Sequence, residues 1–162
     1  IRMDERVYSS EMGHSARNRA IAYLLQSKGI IECDVERSLE LYIKMCSLSV
    51  TAKSLAGLGL VLANGGFHPK TGERLLDREV VRTVKTIMLT CGMYDGSGEF
   101  AVEVGIPSKS GVGGGILSVV DRKMGIGIYG PSLDQKGNSA GGQAMLRYVS
   151  EKLNLHMFAW ED

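Results

Sequence analysis

Long apolar runs are missing from this 162-residue chain. No uninterrupted apolar segment approaches the roughly 20 residues that a membrane helix needs, and no positively charged N-terminal region leads into a signal core. A soluble protein with no membrane partner is therefore expected. An excess of charge is missing too: 19 Lys and Arg stand against 18 Asp and Glu, with no long run of either sign. That excludes the electrostatic footprint of a nucleic-acid binder or a polybasic membrane binder and leaves a small molecule or another subunit as the expected partner. Cysteine is scarce. Cys33, Cys46 and Cys91 are odd in number and widely spaced, which matches neither a zinc site nor a redox pair. They read as reduced, mostly buried thiols of a cytoplasmic protein. His14, His68 and His156 have no paired ligand spacing, so no metal and no cofactor are expected. There is no internal repeat, no low-complexity linker and no initiator methionine ahead of Ile1-Arg2-Met3-Asp4, and the chain reads as a fragment.

What is present is a 44% hydrophobic sequence, enough for one domain with a core. The first half reads as helices. Ser15 can cap a helix with Ala20, Ile21, Leu24 and Leu25 on one face and Gly29 as its stop. Asp34 caps a second, with Val35, Leu39, Tyr42 and Cys46 along one stripe. A third runs from about Thr51 through Leu55, Leu58 and Leu62 to the breaker Asn64-Gly65-Gly66, and its Ala56, Gly57 and Gly59 imply close packing against a neighbour. After the polar loop "GGFHPKTGERLL", Asp77 caps a fourth, with Val80, Val81, Val84, Ile87 and Met88 as its apolar stripe.

Beyond Cys91-Gly92 the pattern changes. Phe100 to Val104 reads as a strand, and Ile116 to Val120, a turn at Asp121-Arg122-Lys123, and Met124 to Tyr129 read as a β-hairpin. A last helix starts near Asn138-Ser139, with Met145, Leu146, Val149 and Leu153 facing inward. Helices, then three strands, then a helix is an α+β pattern with no β-α-β alternation. The expected organisation is a helical part, residues 1–95, and antiparallel strands plus a C-terminal helix, residues 96–162, of one partial domain. Three strands make a thin sheet with an uncovered edge, which again suggests missing elements upstream.

The stretch "IPSKSGVGGGILSVV", Ile106 to Val120, invites a chemical reading. A Walker loop needs Gly-Lys-Ser/Thr ahead of a helix, whereas here Lys109 follows Ser108 and a strand follows the glycines. Gly111, Gly113, Gly114 and Gly115 also have the wrong spacing for a dinucleotide fingerprint. A third possibility is the Lys-Thr/Ser-Gly strand that lines the cleft of penicillin-binding proteins and β-lactamases. Lys70-Thr71-Gly72 matches literally but sits in a Pro-containing loop and reads as a turn. Lys109-Ser110-Gly111 lies between strand-like segments and has the better context. A glycine-rich bend that lets a strand twist remains the alternative.

Three blocks, "LANGGFHPKTGERLL", "CGMYDGSGEFAVEVGIPSKSGVGGGILSVV" and "GPSLDQKGNSAGGQAMLRYVSEKL", together resemble the bacterial and mitochondrial-type serine-dependent glutaminases, as do "SEMGHSARNRAIAYLL" and "LELYIKMCSLSV". The resemblance is collinear over almost the whole chain. It implies a β-lactamase/penicillin-binding-protein-like α+β fold and hydrolysis of L-glutamine to L-glutamate and ammonia, with a homodimer or homotetramer as the common assembly. It also implies a nucleophile in a Ser-x-x-Lys motif that forms a glutamyl ester. No Ser-x-x-Lys occurs in these 162 residues, so the nucleophile and its lysine are expected upstream of Ile1 and the fragment alone is expected to be inert.

By the same resemblance, Glu11 and Asn18 hold the ammonium and carboxylate ends of the substrate, for which their chemistry is suited. Alone, Glu11 is an ordinary solvated carboxylate. The seven-residue spacing would put the two on one face if the helix ran through Gly13. Tyr42 matches a cleft tyrosine, although its pattern is equally that of a core stripe. Tyr94, in a Gly-flanked irregular segment, matches the second site tyrosine and a candidate proton relay. Val112 matches a residue whose backbone N–H completes an oxyanion hole, with Gly111 and Gly113 clearing its approach. Lys109 and Ser110 support the site or the strand edge. Asp95 and Glu99 read as a turn cap and a surface charge. Two other functions stay open: a related serine acyl hydrolase of β-lactamase type, and a non-catalytic ligand-binding or assembly module.

Overall fold

The side chains of Asp4, Asp34 and Thr51 each accept a backbone N–H at the start of a helix, satisfying donors that have no partner in the first turn. The computed structural model describes residues 1–160, and the chain divides into two compact units, Ile1–Val50 and Thr51–Asp162. The change from helices to strands and the division into units fall at different places along the chain.

In the first unit, β1 (Arg2–Met3) pairs antiparallel with β2 (Leu48–Ser49), and α1 (Glu5–Gly13), α2 (Ala16–Ser27) and α3 (Val35–Cys46) lie between them in sequence. Helix α1 had not been expected. Asp34 accepts from the Arg37 N–H at 2.8 Å, and α3 buries Val35, Leu39 and Ile43, one residue every turn. Tyr42 and Cys46, expected on that stripe, are exposed instead, because Ile43 rather than Tyr42 continues the four-residue step. In α2 only Ala22 is buried, while Ile21 and Leu24 are about half exposed. Ser15 precedes α2 but makes no side-chain cap; its Oγ donates back to Met12 O at 2.7 Å. The three cysteines are free thiols, as expected, but all are exposed rather than buried.

The second unit is built on an antiparallel sheet of order β3 (Ser108–Ser110), β4 (Gly115–Val120), β5 (Met124–Tyr129). The expected β4–β5 hairpin forms, its first strand one residue longer than the sequence suggested, and it pairs Gly115 with Tyr129 and Val120 with Met124. Phe100 to Val104 is not the third strand. It belongs to α6 (Ser97–Glu103), whose buried Ser97 and Phe100, followed by Val104, recur at helical spacing; the apolar β-branched composition misled a reading based on propensity. The third strand is the short Ser108–Ser110 segment.

Helices cover both faces of this sheet. On one, Leu117 and Val119 pack with Leu62 and Ala63 of α4 (Ala52–Ala63) and with Val81 and Met88 of α5 (Arg78–Cys91). On the other, Ile116 and Val120 pack with Phe100, Val104, Ile106, Leu155 and Leu146 of α7 (Ala140–Lys152). The alternation along β4 is the period of two that a strand buried on both faces must show. Ser118, between Ile116 and Val120, is fully buried and shares a 2.7 Å hydrogen bond with Ser108 across the strand pair.

The close packing expected at Ala56 and Gly59 is observed. A Cβ on Gly127 would lie 1.9 Å from Ala52 O, and one on Gly125 would lie 2.3 Å from Ala56 O. Thus α4 rests on the bare glycine side of β5. Gly57 points elsewhere, with nothing within 4 Å. Gly127→Ala should accordingly destabilise the protein by about 2 kcal/mol or more, because backbone would have to move. Gly57→Ala, on the same contact-forming helix, should be neutral or stabilising by up to about 1 kcal/mol. Denaturant titration of both variants checks this, and equal midpoints would contradict it.

Candidate active site

The expected site residues fall in both units. In the first, Glu11 is exposed in the last turn of α1, and Asn18 is half-buried near the start of α2. The helix does not run through them. The His14 N–H donates to both Ser10 O and Glu11 O, and Ser15 turns back on Met12, so the two lie on separate helices rather than along one helical face. Arg19, beside Asn18, makes a two-pronged ion pair with Glu36 at 2.7 and 3.1 Å, which ties α2 to α3. Tyr42 is 53% exposed on α3 and so is not a core-stripe tyrosine.

In the second unit the structure brings Tyr94, Lys109 and Val112 together. Tyr94 opens a short 3₁₀ turn, Tyr94–Gly96, with φ of 51°. A tyrosine in the left-handed region is strained by about 1–2 kcal/mol and persists only where its surroundings impose it. The Met93 N–H donates to Ser97 Oγ at 3.0 Å, and Ser97 Oγ donates to Tyr94 O at 2.7 Å. From the loop before α7, the Asn138 side-chain amide donates to Met93 O at 3.0 Å. Lys109 Nζ sits 4.7 Å from the centre of the Tyr94 ring, a cation–π distance, and also donates to Ser110 O.

Val112 lies at the tip of a tight loop. Ser110 N–H donates to Gly92 O, Gly111 N–H to Gly115 O, and Gly114 N–H to Gly111 O, all at 2.9 Å. Gly114 has φ of +89°, and a Cβ there would lie 2.5 Å from Gly130 O, so this corner requires glycine. Val112 itself is exposed, and its N–H has no acceptor among the described residues. Such a donor is the type of group that stabilises a developing oxyanion. A Cβ on Gly137 would be 3.8 Å from both the Tyr94 ring and Val112 Cγ1, so Gly137 adjoins them both. Two buried polar atoms, Ser110 Oγ and Asn138 Oδ1, have no hydrogen-bond partner among the described residues.

Sequence reasoning missed Asn138, Ser97 and Asp134. Asn138 and Ser139 were read as a helix start, and Ser139 is indeed the cap of α7, accepting from the Gly142 N–H. The available signal was "DQKGNS", an Asp followed by a Gly-containing turn. Asp134 organises that turn: Oδ1 accepts from the N–H groups of Lys136 and Asn138, and Oδ2 from Gln143 Nε2. These bonds, the Asn138 N–H foremost, hold the Asp134 carboxyl below its ordinary pKa, although partial burial acts the other way. Glu99, expected as a surface charge, pairs with Lys136 at 2.6 Å. Lys70-Thr71-Gly72 is the expected turn, with Gly72 at φ +70°.

A cleft of about 720 Å³ elsewhere in this unit is lined by Arg78, Arg82, Lys85, Asp121 and Arg122 and contains none of the expected site residues. Among the described residues no group of three His, Cys, Asp or Glu is placed to hold a metal, and no helix is long and apolar enough to cross a membrane.

Residues 1–158 match the family model for glutaminases. Glutaminase 2 of Clostridium perfringens is 56% identical over 158 residues, covering 98% of this chain and 52% of that protein. The glutaminase of Clostridium tetani is 54% identical with the same coverage. A Bacillus subtilis glutaminase, solved as a covalent complex with 5-oxo-L-norleucine, superposes with a TM-score of 0.94 at 42% identity, over 97% of this chain and 56% of that one. The α+β class expected from the sequence is thus the fold of solved glutaminases. The chain belongs to the glutaminase family, and it spans about half the length of the curated relatives it matches.

The Asp134 turn yields a pH prediction. A carboxyl with a lowered folded-state pKa contributes stability above its unfolded value of about 3.9 and loses that contribution as pH falls through the folded value. The amide signals of Lys136 and Asn138 should therefore titrate together with a midpoint below that of an ordinary Asp. NMR titration reads this directly, and Asp134→Asn should abolish the shared transition.

Proposed function

We propose that this chain forms part of a glutaminase that hydrolyses L-glutamine to L-glutamate and ammonia through a serine acyl-enzyme. The observation that carries this reading is the cluster of Tyr94, Lys109 and the unpaired Val112 N–H in a chain of glutaminase sequence. A second support is the capture of the Bacillus relative with 5-oxo-L-norleucine, which places a ketone where glutamine has its side-chain carbonyl.

In the proposed reaction a serine Oγ gives its proton to the lysine of the Ser-x-x-Lys motif as it attacks the side-chain amide carbon, and the carbonyl electrons move onto oxygen, where the Val112 N–H stabilises them. Collapse expels ammonia, which needs a proton delivered to the amide nitrogen, and the Tyr94 hydroxyl is the proposed relay. Water then opens the glutamyl ester. Glu11 pairs with the substrate ammonium, Asn18 donates to its carboxylate, and Tyr42 lies against the substrate. Because the 162 residues contain no Ser-x-x-Lys, the nucleophile and its lysine would have to come from outside them, and these residues alone would be inactive. The proposed setting is the cytoplasm, and the proposed assembly is a homodimer or homotetramer. The missing motif also suits a non-catalytic module, which the assay below would reveal.

The protein in its full natural length should release ammonia from glutamine and leave a chromogenic β-lactam intact; the reverse would favour the acyl-hydrolase alternative, and neither activity the binding module. Tyr94→Phe should lower kcat by about 10²-fold or more with little change in folding. Glu11→Ala should instead raise KM by about tenfold or more, through loss of a charge-assisted bond to the ammonium. Steady-state kinetics separate the two, and an exchange of the effects would refute the assignment of substrate ends.

A further inference from the structure

Tyr94 does not hold its own conformation. Its φ of 51° is unfavourable for a tyrosine, and the flanking backbone is gripped from two elements: Ser97 of α6 on Met93 N and Tyr94 O, and Asn138 on Met93 O. Ser97 is a local contact. Asn138 lies 45 residues away in sequence and is fully buried, and it is the only one of the two that joins the tyrosine to the loop at Gly137.

We propose that Asn138 is a positioning residue for Tyr94: through Met93 O its amide keeps the tyrosine in the left-handed conformation and its ring against Lys109 and Gly137. The kinetic part of this inference rests on the glutaminase reading, whereas the conformational part does not. The orientation of Asn138 comes in turn from Asp134. The carboxylate takes the Asn138 N–H at 2.9 Å, the Asp134 N–H returns a bond to Asn138 O at 2.8 Å, and Gln143 anchors Oδ2 to α7. Lys136 ties the same loop to Glu99 on α6. Gly96 leaves room for this arrangement, since a Cβ there would stand 3.3 Å from Lys136 Cδ and 3.5 Å from Asn138 Nδ2. The Asn138 side chain bonds Met93 O and makes no hydrogen bond to the Tyr94 hydroxyl among the described residues. It acts on the tyrosine through the backbone of the residue before it.

A buried asparagine with only a general structural task would weaken folding without singling out Tyr94. Two measurements on the full-length protein distinguish the cases. The backbone carbon and nitrogen chemical shifts of Tyr94 report the sign of φ: in Asn138→Ala they should leave the positive-φ range while the strands of the sheet keep theirs. Unchanged Tyr94 shifts in the folded variant would overturn the proposal. For turnover, Asn138→Ala should lower kcat about tenfold with KM changed by less than about threefold, and the same substitution in a Tyr94→Phe background should cost less than about threefold. A full tenfold loss in both backgrounds would overturn the proposal, since the effect would then bypass the tyrosine. If Asn138→Ala does not fold, Asn138→Ser, smaller and still polar, carries both measurements with the same outcomes. Shifts that move as expected in a protein without glutaminase activity would uphold the positioning of Tyr94 and refute the function proposed for it.

Discussion

The contact between α4 and the bare glycine side of β5 sets the layering of the second unit. Ala52 O and Ala56 O approach where Gly127 and Gly125 carry no side chain, and Gly59 reciprocates from the helix, a Cβ there falling 2.9 Å from Gly125 Cα. With the helix seated on backbone, Leu62 and Ala63 reach Leu117 and Val119, and the opposite side of the hairpin is left to Ile116 and Val120 against α7. Interiors pack as densely as organic crystals, so the position of α4 leaves little freedom to the strands it covers. The β3 edge is paired to that hairpin in fixed register, Ser110 opposite Ile116, and the Gly111–Gly115 loop and Val112 extend from its end.

Buried polar chemistry is concentrated next to that edge. Ser108, Ser110, Ser118, Asn138 and Ser139 are all essentially inaccessible. Most are paired, as burial of hydroxyls and amides demands. Ser110 Oγ and Asn138 Oδ1 have no partner among the described residues, and both belong to the segments that carry Lys109 and Gly137. The left-handed Tyr94 lies in the same neighbourhood. Strain and unsatisfied polar groups are tolerated where a site needs a side chain displayed rather than packed.

Much of this was legible from residue patterns. Asp34, named as a cap, accepts a free N–H of the next turn, whereas Ser15 and Asp77, named likewise, precede their helices without a side-chain cap. Thr51 and Ser139, read as the approximate starts of helices, do cap them, and the β4–β5 hairpin follows from two apolar runs about a polar turn. The closeness of α4 to its neighbour was readable in Ala56 and Gly59. The reading failed where local preference and tertiary packing disagree. Phe100 to Val104 has strand composition but becomes helical because Phe100 and Val104 are drawn into the same core as Leu146. Along α3 the start of the stripe, Val35 and Leu39, was placed correctly, and the expected step of three to Tyr42 was wrong, because the buried stripe continues by four to Ile43.

For the site, Tyr94, Lys109 and Val112 could be named from sequence, but their mutual approach could not, because Lys109 and Val112 lie 15 and 18 positions beyond Tyr94, past α6, and only folding returns the chain to it. Asn138 carried no signal of its own beyond a turn. What the sequence by itself determined is what depends on neighbours a few residues away: caps, helix periods, the hairpin, and the glycines that permit close approach. The grip of Asn138 on Met93 and the stacking of Lys109 on Tyr94 were decided by tertiary structure alone. Each joins groups far apart in the chain, and each forms only after the sheet and its helices have brought those groups within hydrogen-bond or van der Waals reach.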